Sequence, residues 1–217
     1  MNAEQPGYEQ AFGALRQFVR RKRNVERCEL CSAEVAAEHQ HLIEPASRKL
    51  LCTCDACAIL FSGMGTKYKR VPRRVVMLDD FRLSDGQWES LMVPISMAFF
   101  FRSTQAGRVV ALYPSPAGAT ESLLPLETWN DIENENPVLK EMEPDVEALL
   151  VNRVGHARGA AAPEYYVIPI DECYKLVGLI RANWKGLSGG TEVWQEIGRF
   201  FSGLKERAPV VREEANA

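Results

Sequence analysis

Five of the six cysteines fall between residues 28 and 57, as Cys28-Glu-Leu-Cys31 and Cys52-Thr-Cys54-Asp-Ala-Cys57. The hooks Cys28–Cys31 and Cys54–Cys57 stand 22 residues apart. At that spacing two short turns can bring four thiolates round one ion, and thiolate is the donor that holds Zn²⁺ tetrahedrally. The expected ligands are Cys28, Cys31, Cys54 and Cys57. Cys52 lies two residues before Cys54 and is expected to share its strand face, so it competes as a ligand. His41 or His39 could instead complete a Cys₃His set. In an extended segment at most one of these two histidines is expected to face that metal, the other packing behind it.

A closed four-thiolate zinc site has no open position for a substrate water, which points to a structural ion rather than a hydrolytic one. The same sulfurs would bind iron, as in a rubredoxin, although Ser32 and Ala58 stand where small glycines would follow such hooks. A redox role is the other alternative, with Cys52 as a spare thiol beside the metal. Glu38-His39-Gln40-His41 after a C-x-x-C superficially resembles the HNH endonucleases over residues 28–57. That chemistry needs further His or Asn residues, and the next histidine is His156 while no asparagine lies between Asn24 and Asn130. Three histidines in 217 residues support no Ser–His–Asp or Cys–His grouping. Pro114-Ser-Pro-Ala-Gly118 lacks the end of a P-loop and reads as a surface loop. No feature signals an enzyme.

Zn²⁺ needs these hooks held by local structure. The spacing predicts a knuckle turn at Cys28–Cys31, a hairpin, and a helix that begins at Cys54 and presents Cys57 one turn later. The helix N-terminus favours thiolates there. This is a treble-clef-like arrangement, expected over residues 26–63. Before it, Tyr8, Phe12, Leu15, Phe18 and Val19 recur at helical spacing, predicting an amphipathic helix over about residues 7–22 within an N-terminal segment 1–25.

The remainder reads as α+β, with a body over residues 64–206 and a disordered tail over 207–217. Tyr68–Leu78 reads as strand interrupted at Pro72, and Ser84 caps a short helix. Pro94–Arg102 and Arg108–Tyr113 read as a hairpin, residues 125–142 as two short helices broken at Pro137, and Val146–Val154 and Tyr165–Ile168 as strands. Asp171 is expected to cap an apolar-striped helix, and Gly189-Gly190 to separate it from a last helix. Cys173 is expected to be a buried small hydrophobe, and the four tryptophans core anchors.

Net charge is −3, but it divides into +5 over residues 1–74 and −8 over residues 75–217. The basic part flanks the cysteines with Arg20-Arg-Lys-Arg23 and Lys67-Tyr-Lys-Arg70. A nucleic-acid-binding zinc protein is therefore an alternative, but the acidic whole and the ordinary solvated reading of such runs argue against it. The N-terminus has no charged-then-apolar leader pattern, and the run from Val93 to Phe101 is too short to span a bilayer. The expectation is a cytoplasmic protein with reduced thiols, which favours metal over disulfides.

Together, Cys28-Glu-Leu-Cys31, His41-Leu-Ile, Leu50-Leu-Cys-Thr-Cys-Asp-Ala-Cys57, Ala98-Phe-Phe-Phe-Arg102, Leu112-Tyr-Pro-Ser-Pro-Ala-Gly-Ala-Thr-Glu-Ser122 and Ile168-Pro-Ile-Asp-Glu-Cys-Tyr174 resemble a bacterial family of unknown function. That family occurs near nickel–iron hydrogenase structural and maturation genes, and the resemblance covers roughly residues 8–205. It implies an accessory or scaffolding role in hydrogenase assembly, with a hydrogenase subunit or maturation factor as protein partner. Gene proximity is an association, not a mechanism.

Overall fold

A computed structural model describes residues 25–211 apart from 64, 66, 124, 125 and 187. The expected N-terminal helix over 7–22 lies outside the described residues.

The metal-module hairpin is built from β1 (Gln40–Glu44) and β2 (Lys49–Thr53), and the short α1 (Asp55–Leu60) follows at once. Strand β3 (Lys69–Arg70) pairs with the other side of β1, giving a three-stranded antiparallel sheet in the order β2-β1-β3. Pro72, which cannot donate to a ladder, ends β3. The chain then enters a second sheet as β4 (Val76–Leu78), so the expected interrupted strand serves two sheets.

Helix α2 (Asp85–Ser90) starts with a full capping box, Ser84 and Gln87 each holding the other's backbone N–H. The chain continues through β5 (Met97–Ser103), β6 (Arg108–Ser115), β7 (Gly118–Ser122), α3 (Leu126–Glu135), a 3₁₀ turn at Pro137–Glu141, β8 (Glu147–Asn152), β9 (Glu164–Pro169), α4 (Ile170–Asn183), α5 (Gly190–Arg207) and β10 (Val210–Val211). The large sheet runs β10-β4-β9-β8-β5-β6-β7. It is antiparallel except where β10 joins β4 in parallel.

Its central strands are apolar on both sides because both sides are covered. Phe99, Phe101, Leu112, Leu150, Tyr166 and Ile168 pack against α4 and α5 through Cys173, Leu176, Ile180, Val193, Ile197 and Phe201. The alternate residues Phe100, Ala111, Leu149, Val151 and Val167 pack against Leu91, Trp129, Ile132 and Leu139 on the other side. Period-two alternation in each strand feeds two cores at once. The fold is therefore α+β, with five helices among the described residues, two sheets and the four-cysteine cluster near the N-terminal end.

Three expectations change. Pro114–Gly118 is not an open loop: β6 runs on to Ser115 and turns tightly into β7, a strand missed because Gly-Ala-Thr-Glu-Ser lacks an apolar pattern. Residues 210 and 211, expected within the disordered tail, pair with β4. Trp129 is buried as expected, but Trp194 is 46% exposed on α5, where its ring lies 6.5 Å from that of Trp184 and its indole N–H donates to Ser188 O at 3.2 Å. Cys173 is fully buried, as its apolar neighbours on the helix predict. No helix among the described residues is long and apolar enough to cross a membrane.

Candidate metal centre

Cys28 to Cys31 form the knuckle. Cys28 N–H donates to Ala33 O and Ser32 N–H to Cys28 O, both at 2.8 Å, closing the turn that aims both sulfurs inward. Ser32 takes a left-handed conformation (φ 63°), where a glycine would be easier. Glu29 ties the knuckle to the hairpin: its N–H donates to Cys52 O at 2.8 Å, and its carboxylate accepts Cys52 N–H at 2.7 Å. Both outward backbone groups of Cys52 on the open edge of β2 are thereby satisfied.

Strand β2 stops at Thr53, and Cys54 becomes the N-cap of α1, its sulfur accepting Cys57 N–H at 3.5 Å. Cys57 follows one turn later. The four sulfurs of Cys28, Cys31, Cys54 and Cys57 all lie within 4.8 Å of one another. Cys31 and Cys54 are 3.7 Å apart. A tetrahedron with metal–sulfur bonds of about 2.3 Å has an edge of about 3.8 Å, so Cys31 and Cys54 stand at the separation that an ion would impose. Leu42, Leu51 and Ala58 form a small apolar floor beneath the cluster.

Their protons divide unevenly. Burial pushes the Cys28 thiol up, but N–H groups of Cys54, Cys31 and Leu30 outweigh it and bring it down to about 6. Burial, together with the neighbouring cysteines, pushes Cys57 up to about 12. Four thiolates packed this closely repel one another, and a bound dication is what lets all four ionise. The donors fit a thiophilic ion, and their chemistry does not separate zinc from iron.

Cys52 and His41, the alternate ligands, do not join this set. The hairpin register explains it. Even-numbered β1 residues and odd-numbered β2 residues, Leu42 and Leu51 among them, face the cluster's floor. Ile43 and Leu50 face the main core, and His41 stands directly opposite Cys52 on that same face. Cys54 escapes the alternation because the strand has already ended. His39, two residues before His41, lies on the face His41 uses, so the two rings stand side by side with centroids 4.7 Å apart. Residues i and i+2 of an extended chain share a face, and neither histidine joins the four sulfurs.

Asp171 differs too. It is not the N-cap: Pro169 holds that position in α4 without a side-chain bond, and Asp171, inside the first turn, accepts Glu172 N–H on Oδ1 at 2.9 Å and His41 Nδ1–H on Oδ2 at 2.6 Å. No local sequence signal could have joined residues 130 apart. Of the basic run near the cluster, Lys67 pairs with Glu44 at 2.9 Å and Lys69 with buried Asp145 at 2.7 Å, so these cations are engaged within the fold.

A protein with this arrangement belongs to the class of α+β proteins that carry a four-cysteine cluster positioned to bind a metal ion. The sequence model of a family described as "family of unknown function (DUF5947)" matches residues 27–208, and the chain belongs to that family. No curated protein and no solved structure matches it.

Proposed function

We propose that this is a non-enzymatic accessory or scaffolding protein whose four-cysteine module holds a structural Zn²⁺, and that it serves nickel–iron hydrogenase assembly. Four sulfurs within 4.8 Å of one another would fill the coordination of the ion, which favours a structural role over catalysis at that centre. The observation that carries the docking role is the surface of the same module. Ile59, Leu60 and Phe61, at the end of α1, are 67%, 73% and 45% exposed. Three consecutive large apolar side chains on a metal-stapled turn suit capture of a protein partner's apolar segment. The link to hydrogenase rests on the family resemblance, and the partner it implies is a hydrogenase subunit or maturation factor.

Three measurements test this. Aerobically purified protein should be colourless, with zinc and no iron; a red protein containing iron would replace this reading with a redox or iron-handling one. The full chain should capture a hydrogenase subunit or maturation factor from its host, and Leu60→Asp should reduce capture at least tenfold with zinc content unchanged. Deleting the gene should lower hydrogenase maturation; unchanged hydrogenase activity would overturn the assignment.

A further inference from the structure

The face of the hairpin turned away from the four sulfurs carries a second set of donors. One ring nitrogen each from His39 and His41 and the sulfur of Cys52 lie within 4.8 Å of one another. The hydrogen bonds around them fix which nitrogen is available. His39 Nδ1 meets only acceptors, Ala36 O at 2.9 Å and Glu26 Oε2 at 3.4 Å, so it carries the proton. His41 Nδ1 likewise donates to Asp171. In a neutral imidazole this leaves Nε2 of both rings with a bare lone pair.

His39 Nε2 is buried without a hydrogen-bond partner, on a side chain only 8% exposed. A buried lone pair left unsatisfied costs free energy unless something accepts it into a bond. The carboxylate behind His41 has the arrangement that orients a metal-ligating histidine and raises its basicity. The three donors line a cavity of about 680 Å³ between the hairpin and α4.

We infer that His39, His41 and Cys52 form a second metal site, for a divalent late first-row transition ion such as Zn²⁺, with a fourth position open to the cavity. Two imidazoles and one thiolate suit that class of ion. Three protein ligands, unlike four, leave room for water or for a side chain delivered by a partner. Asp171 is a positioning residue here, acting through His41.

The test is an ion count on metal-free full-length protein titrated with Zn²⁺ and followed by native mass spectrometry. Wild type should take up two ions at micromolar zinc. Cys52→Ser and His39→Gln should each take up one, and that remaining ion shows that the four-cysteine module is still folded. Asp171→Asn should weaken only the second ion, by roughly 10- to 100-fold. Saturation of the wild type at one ion, or two ions retained in either ligand variant, overturns the site. Counting ions involves no partner, so failed capture of a hydrogenase protein would sink the accessory reading and leave this one standing.

Discussion

Cys54 performs two tasks that one substitution can separate. Its sulfur caps α1 and also stands 3.7 Å from Cys31 within the cluster. Serine is among the best helix caps, so Cys54→Ser keeps the cap while removing a thiolate. A structural Zn²⁺ supplies about 10–16 kcal/mol of apparent binding energy that is also folding energy. The variant should therefore lose the four-cysteine ion and the hydrogen-exchange protection of residues 26–63, while β5 and β8 stay protected. Cys52→Ser should retain that ion and that protection. Equal loss in both variants would overturn the ligand set. The ligands were legible because short-range spacing alone brings such hooks together. Cys52 was misplaced because the reading carried strand parity past Thr53, where the strand ends.

At the scale of elements, the tip of the β1–β2 hairpin reaches the large sheet. Arg48, left-handed at φ 57°, donates to Glu121 of β7 at 3.1 Å and lies 5.5 Å from the Phe101 ring centre. Arg108 of β6 holds the other Glu121 oxygen at 2.8 Å. Burial pushes the Glu121 carboxyl up, but the two guanidiniums outweigh it and hold it below its ordinary 4.5. A carboxylate depressed on folding stabilises fully above its unfolded value, and the gain disappears as pH falls through the lower folded value. Wild type should exceed Glu121→Gln in urea stability by roughly 0.5–1 kcal/mol at pH 6, given solvent screening. The gap should shrink only below pH 4.5; a gap constant down to pH 3 would sink the assignment. The hairpin and the helix that follows it were readable from the cysteines, and the start of α2 from Ser84. Strand β7 was not, since its order comes from pairing with β6 and from Arg48, contacts that local patterning does not encode.

For the whole molecule, one sheet separates two cores, and the β1–β2 hairpin contributes Ile43 to the one beneath α4 and α5. Leu150 sits fully buried in that same core. Leu150→Ala should cost about 2–5 kcal/mol in denaturant unfolding; a loss below 1 kcal/mol would mean that this core is not close-packed. The apolar runs of β5, β8 and β9 made that core legible from sequence, because a strand covered on both sides must be apolar on both. The position of the hairpin against it depended on long-range pairs such as His41–Asp171 and Lys69–Asp145.

The Arg48–Glu121 clasp has a further consequence. β7 is the last strand on its side of the sheet, and an uncovered border of this kind recruits strands from other molecules. The hairpin reaches that strand through Arg48, and the expectation is that this contact hinders such recruitment. Chelation should therefore do more than loosen one small module. It should release that contact and bring on self-association, visible as light scattering that rises with EDTA and falls again when zinc is restored.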